Sequence, residues 1–187
     1  EKPGIYITSL LGHEGEGSLH QHLKSAGLIE SLGAGESRLD DQNAFIYVEM
    51  VLTEAGAAAI EKVTGALFAY INLLRNSPID EWRYQEQARM AELGFRFQEP
   101  STPSGFAYRV GPLLAHYPPG HVLAAPFLME RFDPDLIRSY LARLTPTNLF
   151  MEVVGPNVET DQLEPWFLVP YRSNAFDTSF ATPEIPE

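Results

Sequence analysis

The spacing of apolar residues changes abruptly at Thr53, and that change limits the chain to a mixed fold. Before it, NAFIYVEMVL places Ile46, Val48, Met50 and Leu52 at every second position, as a strand with one buried face requires. After it, Ile60, Val63, Leu67, Ile71 and Leu74 recur three or four apart. That is the stripe of a long helix capped by Thr53 and ended at Ser77-Pro78. A chain that carries both periods side by side packs helices on a sheet.

The remaining segments extend this pattern. LIESLGAGE (28–36) reads as a short strand, and SRLDDQN (37–43) as the polar turn leading to the next one. Ser18 can cap a short helix with Leu19 and Leu23 on one face, stopped by Gly27. The segment IYITSLL (5–11) is ambiguous: Ile5 and Ile7 favour strand, whereas Pro3 suits a first helical turn. Helices are predicted at about 80–97, around 110–116 after the break EPSTPSG (99–105), and over 121–132 despite Pro126. In DPDLIRSYLARL, Asp133 is the cap, Pro134 the first helical residue, and Leu136, Ile137, Tyr140, Leu141 and Leu144 the buried stripe. A turn at 145–148 leads into LFMEVV (149–154), predicted as a buried strand, and 155–187 reads as irregular. The order is strand, strand, a run of helices, then strand. It predicts an α+β fold: an antiparallel-rich sheet with helices packed on one face.

Composition narrows the function more than the fold. The 25 acidic and 13 basic side chains give a net charge of −12, which argues against nucleic acid or an anionic membrane as the main partner. With no cysteine, disulfides, thiolate nucleophiles and cysteine-ligated zinc are excluded. No run of eighteen apolar residues suggests a membrane helix. The opening EKPGIYITSLLGHEG lacks the basic start and apolar run of a signal peptide, and it reads as the interior of a longer chain.

The densest polar stretch is GHEGEGSL (12–19). A metalloprotease helix needs HExxH or its inverse HxxEH, and neither is formed by His13, His20, His22, His116 or His121. His20 and His22 stand two apart and point in different directions on a helix, so these histidines read as surface or satisfied ones, and no metal site is expected. Phosphate binding fails too: the stretch has no P-loop lysine, and Glu14 and Glu16 repel an anion. No GxSxG occurs, and Ser18 has no placed base. On spacing alone GHEGEGS is a turn. A second cluster, LGAGE, then needs a reason, because glycine weakens a strand unless another backbone must come close. A carboxylate beside an open strand edge suits peptide capture: the amino terminus pairs with the acid while the peptide backbone adds to the sheet.

These residues also resemble a family. GHEGEGSLHQHLKSAGLIESLGAG (12–35), VLTEAG (51–56), INLLR and EW (71–82), FRF (95–97), the run 117–149 and EPWFLVPYR (164–172) follow, in order, the second domain of the pitrilysin/insulinase zinc metallopeptidases. The resemblance implies a parent of four related α+β domains closing as two halves around a chamber, and a helix rather than a strand at IYITSLL. It implies that 1–172 is the second, non-catalytic domain without its opening strand, and that 173–187 is a tail or linker. Zinc, held by an HxxEH and a downstream glutamate, belongs to the parent's first domain; this chain is expected to carry no metal or catalytic residue. By the same resemblance a substrate-anchoring exosite falls on Gly12, Glu14, Leu32, Ala34 and Glu36. Ala34 and Glu36 replace the glycine and glutamine of the family's peptide-anchoring members, and the added charge at Glu36 is expected to favour a cationic amino end. The implied partners are a peptide substrate and the other domains of the parent. An exposed sheet edge also favours self-association. The alternatives are a purely structural lobe against the catalytic domain, or part of a peptidase of pyrroloquinoline quinone biosynthesis. Resemblance to bacterial members suggests a periplasmic parent.

Overall fold

Proline at the first helical position resolves the ambiguity near the start, as the family resemblance implied. In the computed structural model, which describes residues 2–40, 43–175 and 177–178, Pro3–Leu11 is helix α1. Ser18 accepts a hydrogen bond from the Gln21 amide and opens α2 (Leu19–Ser25). Gly27, at φ +70, then turns the chain, and the Leu28 amide reaches back to the Leu23 carbonyl.

Strands β1 (Ile29–Arg38) and β2 (Ala44–Leu52) pair antiparallel, from Ile29 opposite Leu52 to Arg38 opposite Ala44. Ser37 and Arg38 thus belong to the strand and not to the predicted polar turn, two of whose residues (41 and 42) lie outside the described ones. The alternation along β2 is as expected: Ile46, Val48, Met50 and Leu52 face the core while Phe45, Tyr47, Glu49 and Val51 face out.

The long helix is two helices. Thr53 caps a single turn, α3 (Glu54–Ala57), and α4 (Ile60–Asn76) follows a break at 58–59. The cause is tertiary: Gly56 is pressed against the Leu28 carbonyl, which sets the direction of α3 independently of α4. Helix α5 (Glu81–Arg96) matches the predicted segment. The next helix, α6 (Pro103–Val110), starts earlier than predicted because Thr102 caps it through the Gly105 amide, with Pro103 at its first position. Only a 3₁₀ turn (Pro112–Ala115) occupies the predicted 110–116.

Residues 121–132 form no helix. They run as turns, with the mixed pairings Ala124 to His121 and Leu128 to Ala124, because Pro126 has no amide to continue a ladder. Helix α7 (Pro134–Arg143) forms as predicted, with Asp133 accepting from the Leu136 amide. Ile137 and Leu141 are its buried residues, and Leu136 is half-buried. A 3₁₀ turn (Pro146–Asn148) follows. The predicted strand 149–154 is absent: no strand pairs with it among the described residues, and Phe150 and Val154 are 89% and 86% exposed. Leu149 packs against the first core cluster, and Met151 leans on α4, its sulfur 3.8 Å from the Thr64 hydroxyl. A two-residue hairpin, β3 (Gln162–Leu163) and β4 (Pro170–Tyr171), closes the described region, and most of the predicted tail lies outside it.

The result is the expected α+β architecture, with helices on one side of β1–β2. One cluster joins Tyr6, Ile7 and Leu11 of α1 to Phe68 and Ile71 of α4, Tyr84 of α5, and Ile137 and Leu141 of α7. A second joins Leu19, Leu23, Leu28, Ile29, Leu32 and Val63 between α2, β1 and α4.

Candidate functional site

Helix α1 ends against β1, and this joins the two small-residue clusters. Gly12 closes the helix, its amide donating to the Thr8 carbonyl at 2.9 Å. A Cβ on Gly12 would stand 3.4 Å from the Ala34 amide nitrogen and 3.6 Å from the Ala34 Cβ. The helix end therefore lies in van der Waals contact with the strand at Ala34. Glu14, two residues on, is within about 7 Å of Gly12 along the chain. It is exposed, with no hydrogen bond or ion pair among the described residues. The rest of the loop is fixed: Gly17 sits at φ +77 and donates to the Gln21 side chain at 2.8 Å, and the His13 imidazole folds over Gly15.

Along β1, Leu32, Ala34 and Glu36 alternate toward one face. Leu32 is buried in the second core cluster, so only its backbone is available to a ligand. Among the described residues β1 pairs with β2 alone, and its other edge carries no strand.

Glu36 follows Ala34 by two residues along β1. Its carboxyl group rests on Gly4 at the start of α1, with Lys2 as its charge neighbour. Lys2 in turn donates to the Ala125 carbonyl at 2.9 Å and to the Pro126 carbonyl. Partial burial raises the Glu36 pKa above 4.5, and the Lys2 charge pulls it back. Burial likewise lowers the Lys2 ammonium, opposed by Glu36. Lys2 is thus a cationic neighbour of the Glu36 carboxyl group. A carboxyl whose folded pKa is raised favours the fold while protonated and loses that contribution as pH rises through the folded value. Stability should therefore dip as pH climbs from 4.5, and Glu36→Gln should flatten that part of a urea-midpoint against pH curve.

His20 departs from the surface or satisfied histidine expected. It is 7% exposed, and its Nδ1 has no partner among the described residues. Sequence reasoning also passed over Tyr47, whose ring lies across Gly35. The signal was an aromatic residue on the outward period of one strand opposite a glycine of the other. No group of three or more His, Cys, Asp or Glu able to hold a metal occurs among the described residues.

Fold and site define an α+β domain in which a helix-capping glycine loop lies against one strand of an antiparallel pair. Two family models match the chain: "Peptidase M16 inactive domain" over residues 1–90 and "Middle or third domain of peptidase_M16" over 95–184. Human insulin-degrading enzyme is 35% identical over 175 residues, and the A-factor-processing enzyme of Saccharomyces cerevisiae 32% over 172. These alignments cover 92% and 91% of this chain but 17% of each enzyme. A crystal structure of pitrilysin superposes with a TM-score of 0.85 at 26% identity, over 91% of this chain and 18% of that one. The chain belongs to the pitrilysin/insulinase peptidase family, and it spans about a sixth of the length of the relatives it matches.

Proposed function

We propose that this chain is the substrate-anchoring lobe of a zinc metalloendopeptidase, holding the amino end of a peptide away from the metal-bearing domain. Glu14 receives the ammonium group, and the free edge of β1 at 32–36 pairs antiparallel with the peptide backbone. The observation that supports this reading is the contact of Gly12 with Ala34: the loop bearing the unpartnered Glu14 starts beside β1, whose second edge carries no strand among the described residues. The likeness to insulin-degrading enzyme supplies the class of substrate. Residues 1–172 act as one domain in this reading, because α1 and α7 share a core across the junction of the two family models.

Glu14 is exposed, and a pair of exposed charges is worth up to about 1 kcal/mol, so acetylating the peptide's amino end should weaken binding about threefold to fivefold. Calorimetric titration of the parent protein with free and acetylated peptides checks this; equal affinities would sink it. A structural lobe is the competing reading. It is favoured by Phe150, Trp166 and Phe167, each at least 85% exposed, a surface suited to packing against other domains. Under that reading Glu14→Gln leaves peptide turnover unchanged. A parent in pyrroloquinoline quinone biosynthesis would use the same lobe on a different peptide. Its compartment, proposed as periplasmic, is settled by cell fractionation.

A further inference from the structure

The face of the sheet turned away from the helices carries β2 side chains over a bare stretch of β1. The register sets Tyr47 opposite Gly35 and Glu49 opposite Gly33, and both β2 residues lie on the outward, exposed face. The Tyr47 ring has crossed to the neighbouring strand. A Cβ on Gly35 would stand 2.4 Å from its hydroxyl and 2.5 Å from the carbon bearing that hydroxyl. At Gly33 the corresponding position has no atom within 4 Å, which leaves a gap in front of Glu49. Neither the Tyr47 hydroxyl nor the Glu49 carboxylate makes a hydrogen bond or ion pair among the described residues. Phe45 backs the tyrosine, with ring centroids 6.2 Å apart.

We propose that Tyr47 and Glu49 select a basic side chain on the peptide paired with β1. This rests on the proposed pairing of peptide with that strand and adds the identity of one of its side chains. A third strand beside β1 lies two strand spacings, about 9.5 Å, from β2. An extended arginine or lysine and a glutamate span that gap together, and shorter side chains do not. The basic stem passes through the opening at Gly33 along the Tyr47 ring, where a cation is attracted to the aromatic face, and its head meets Glu49. A side chain on either glycine would close the passage. The net charge of −12 favours the approach of a basic peptide to the domain.

The test uses the full-length parent protein in a chelator, which prevents metal-dependent cleavage. It is titrated with peptides in which a single arginine, or its neutral isostere citrulline, is walked through the residues behind a free amino end. At one position arginine should bind about five- to tenfold tighter than citrulline. Glu49→Gln should remove that preference, and so should Gly33→Val, whose side chain enters open space and should leave the melting temperature unchanged. The inference is overturned if no position prefers arginine, or if the preference survives both substitutions. Acetylated peptides run alongside separate the two ideas. A flat arginine scan with an acetylation effect defeats the Tyr47–Glu49 subsite alone. An arginine preference that tracks Glu49 without an acetylation effect defeats only the Glu14 anchor.

Discussion

Gly56→Ala should destabilise the fold by about 2 kcal/mol net, although alanine is the better helix former. The new methyl would stand 1.9 Å from the Leu28 carbonyl oxygen and 2.9 Å from its carbon, both backbone atoms with no rotamer to yield. That carbonyl accepts the Thr53 amide at 3.1 Å, and Leu28 itself is 6% exposed within the second core cluster. The Thr53 hydroxyl meanwhile donates to the Gly27 carbonyl and accepts the Gly56 amide, at 2.7 and 3.0 Å. Moving Leu28 therefore disturbs a strand entry, a helix cap and a core residue together. Overpacking of this kind costs about 3 kcal/mol, against about 1 kcal/mol returned by helix propensity. Gly94 in α5 supplies the opposite sign: a Cβ there meets nothing within 4 Å, so Gly94→Ala should stabilise by up to about 1 kcal/mol. Urea unfolding of both variants measures the contrast. A Gly56→Ala protein as stable as its parent would show that α3 is not pressed on Leu28.

The same contact marks where local reading ends. Ser18, Thr53 and Asp133 cap helices as their spacing predicts, and β2 alternates residue by residue, because these preferences act over three or four positions. The break between α3 and α4 depends on Leu28, far earlier in the chain, and no periodicity within 53–76 signals it. LFMEVV has the composition of a strand, but a strand also needs a partner, and composition says nothing of whether one is in place. In 121–132 the apolar spacing suits a helix, yet Pro126 cannot continue its ladder.

The candidate site shows the same division. Glycines at 12, 33 and 35 announce close approaches without saying to what. The structure answers Ala34 for Gly12 and the Tyr47 ring for Gly35, and leaves Gly33 open. Glu36 reads as a free carboxylate until its neighbour Lys2, thirty-four positions away, is placed beside it.

Ile137→Ala should lower stability by about 3 kcal/mol, and its consequences should reach the other end of the chain. Ile137 is 1% exposed on α7, and its cluster includes Tyr6, Ile7 and Leu11 of α1. The two family models meet between residues 90 and 95, near the end of α5, so they assign α1 and α7 to different segments. Side chains in one close-packed cluster cannot lose their packing separately, whatever the boundary in sequence. Truncating Ile137 leaves a cavity against α1, and α1 carries Gly12 to its seat on Ala34. Hydrogen exchange at the amides of Pro3–Leu11 should therefore quicken along with those of Pro134–Arg143, in step with the global destabilisation. Peptide affinity should fall only as far as the unfolded fraction grows, because Ile137 is buried in the core and presents no surface to a peptide. If α1 keeps its protection while α7 loses its own, the segments on either side of the junction are separate folding units. The Gly12–Ala34 seat would then depend on the first of them alone.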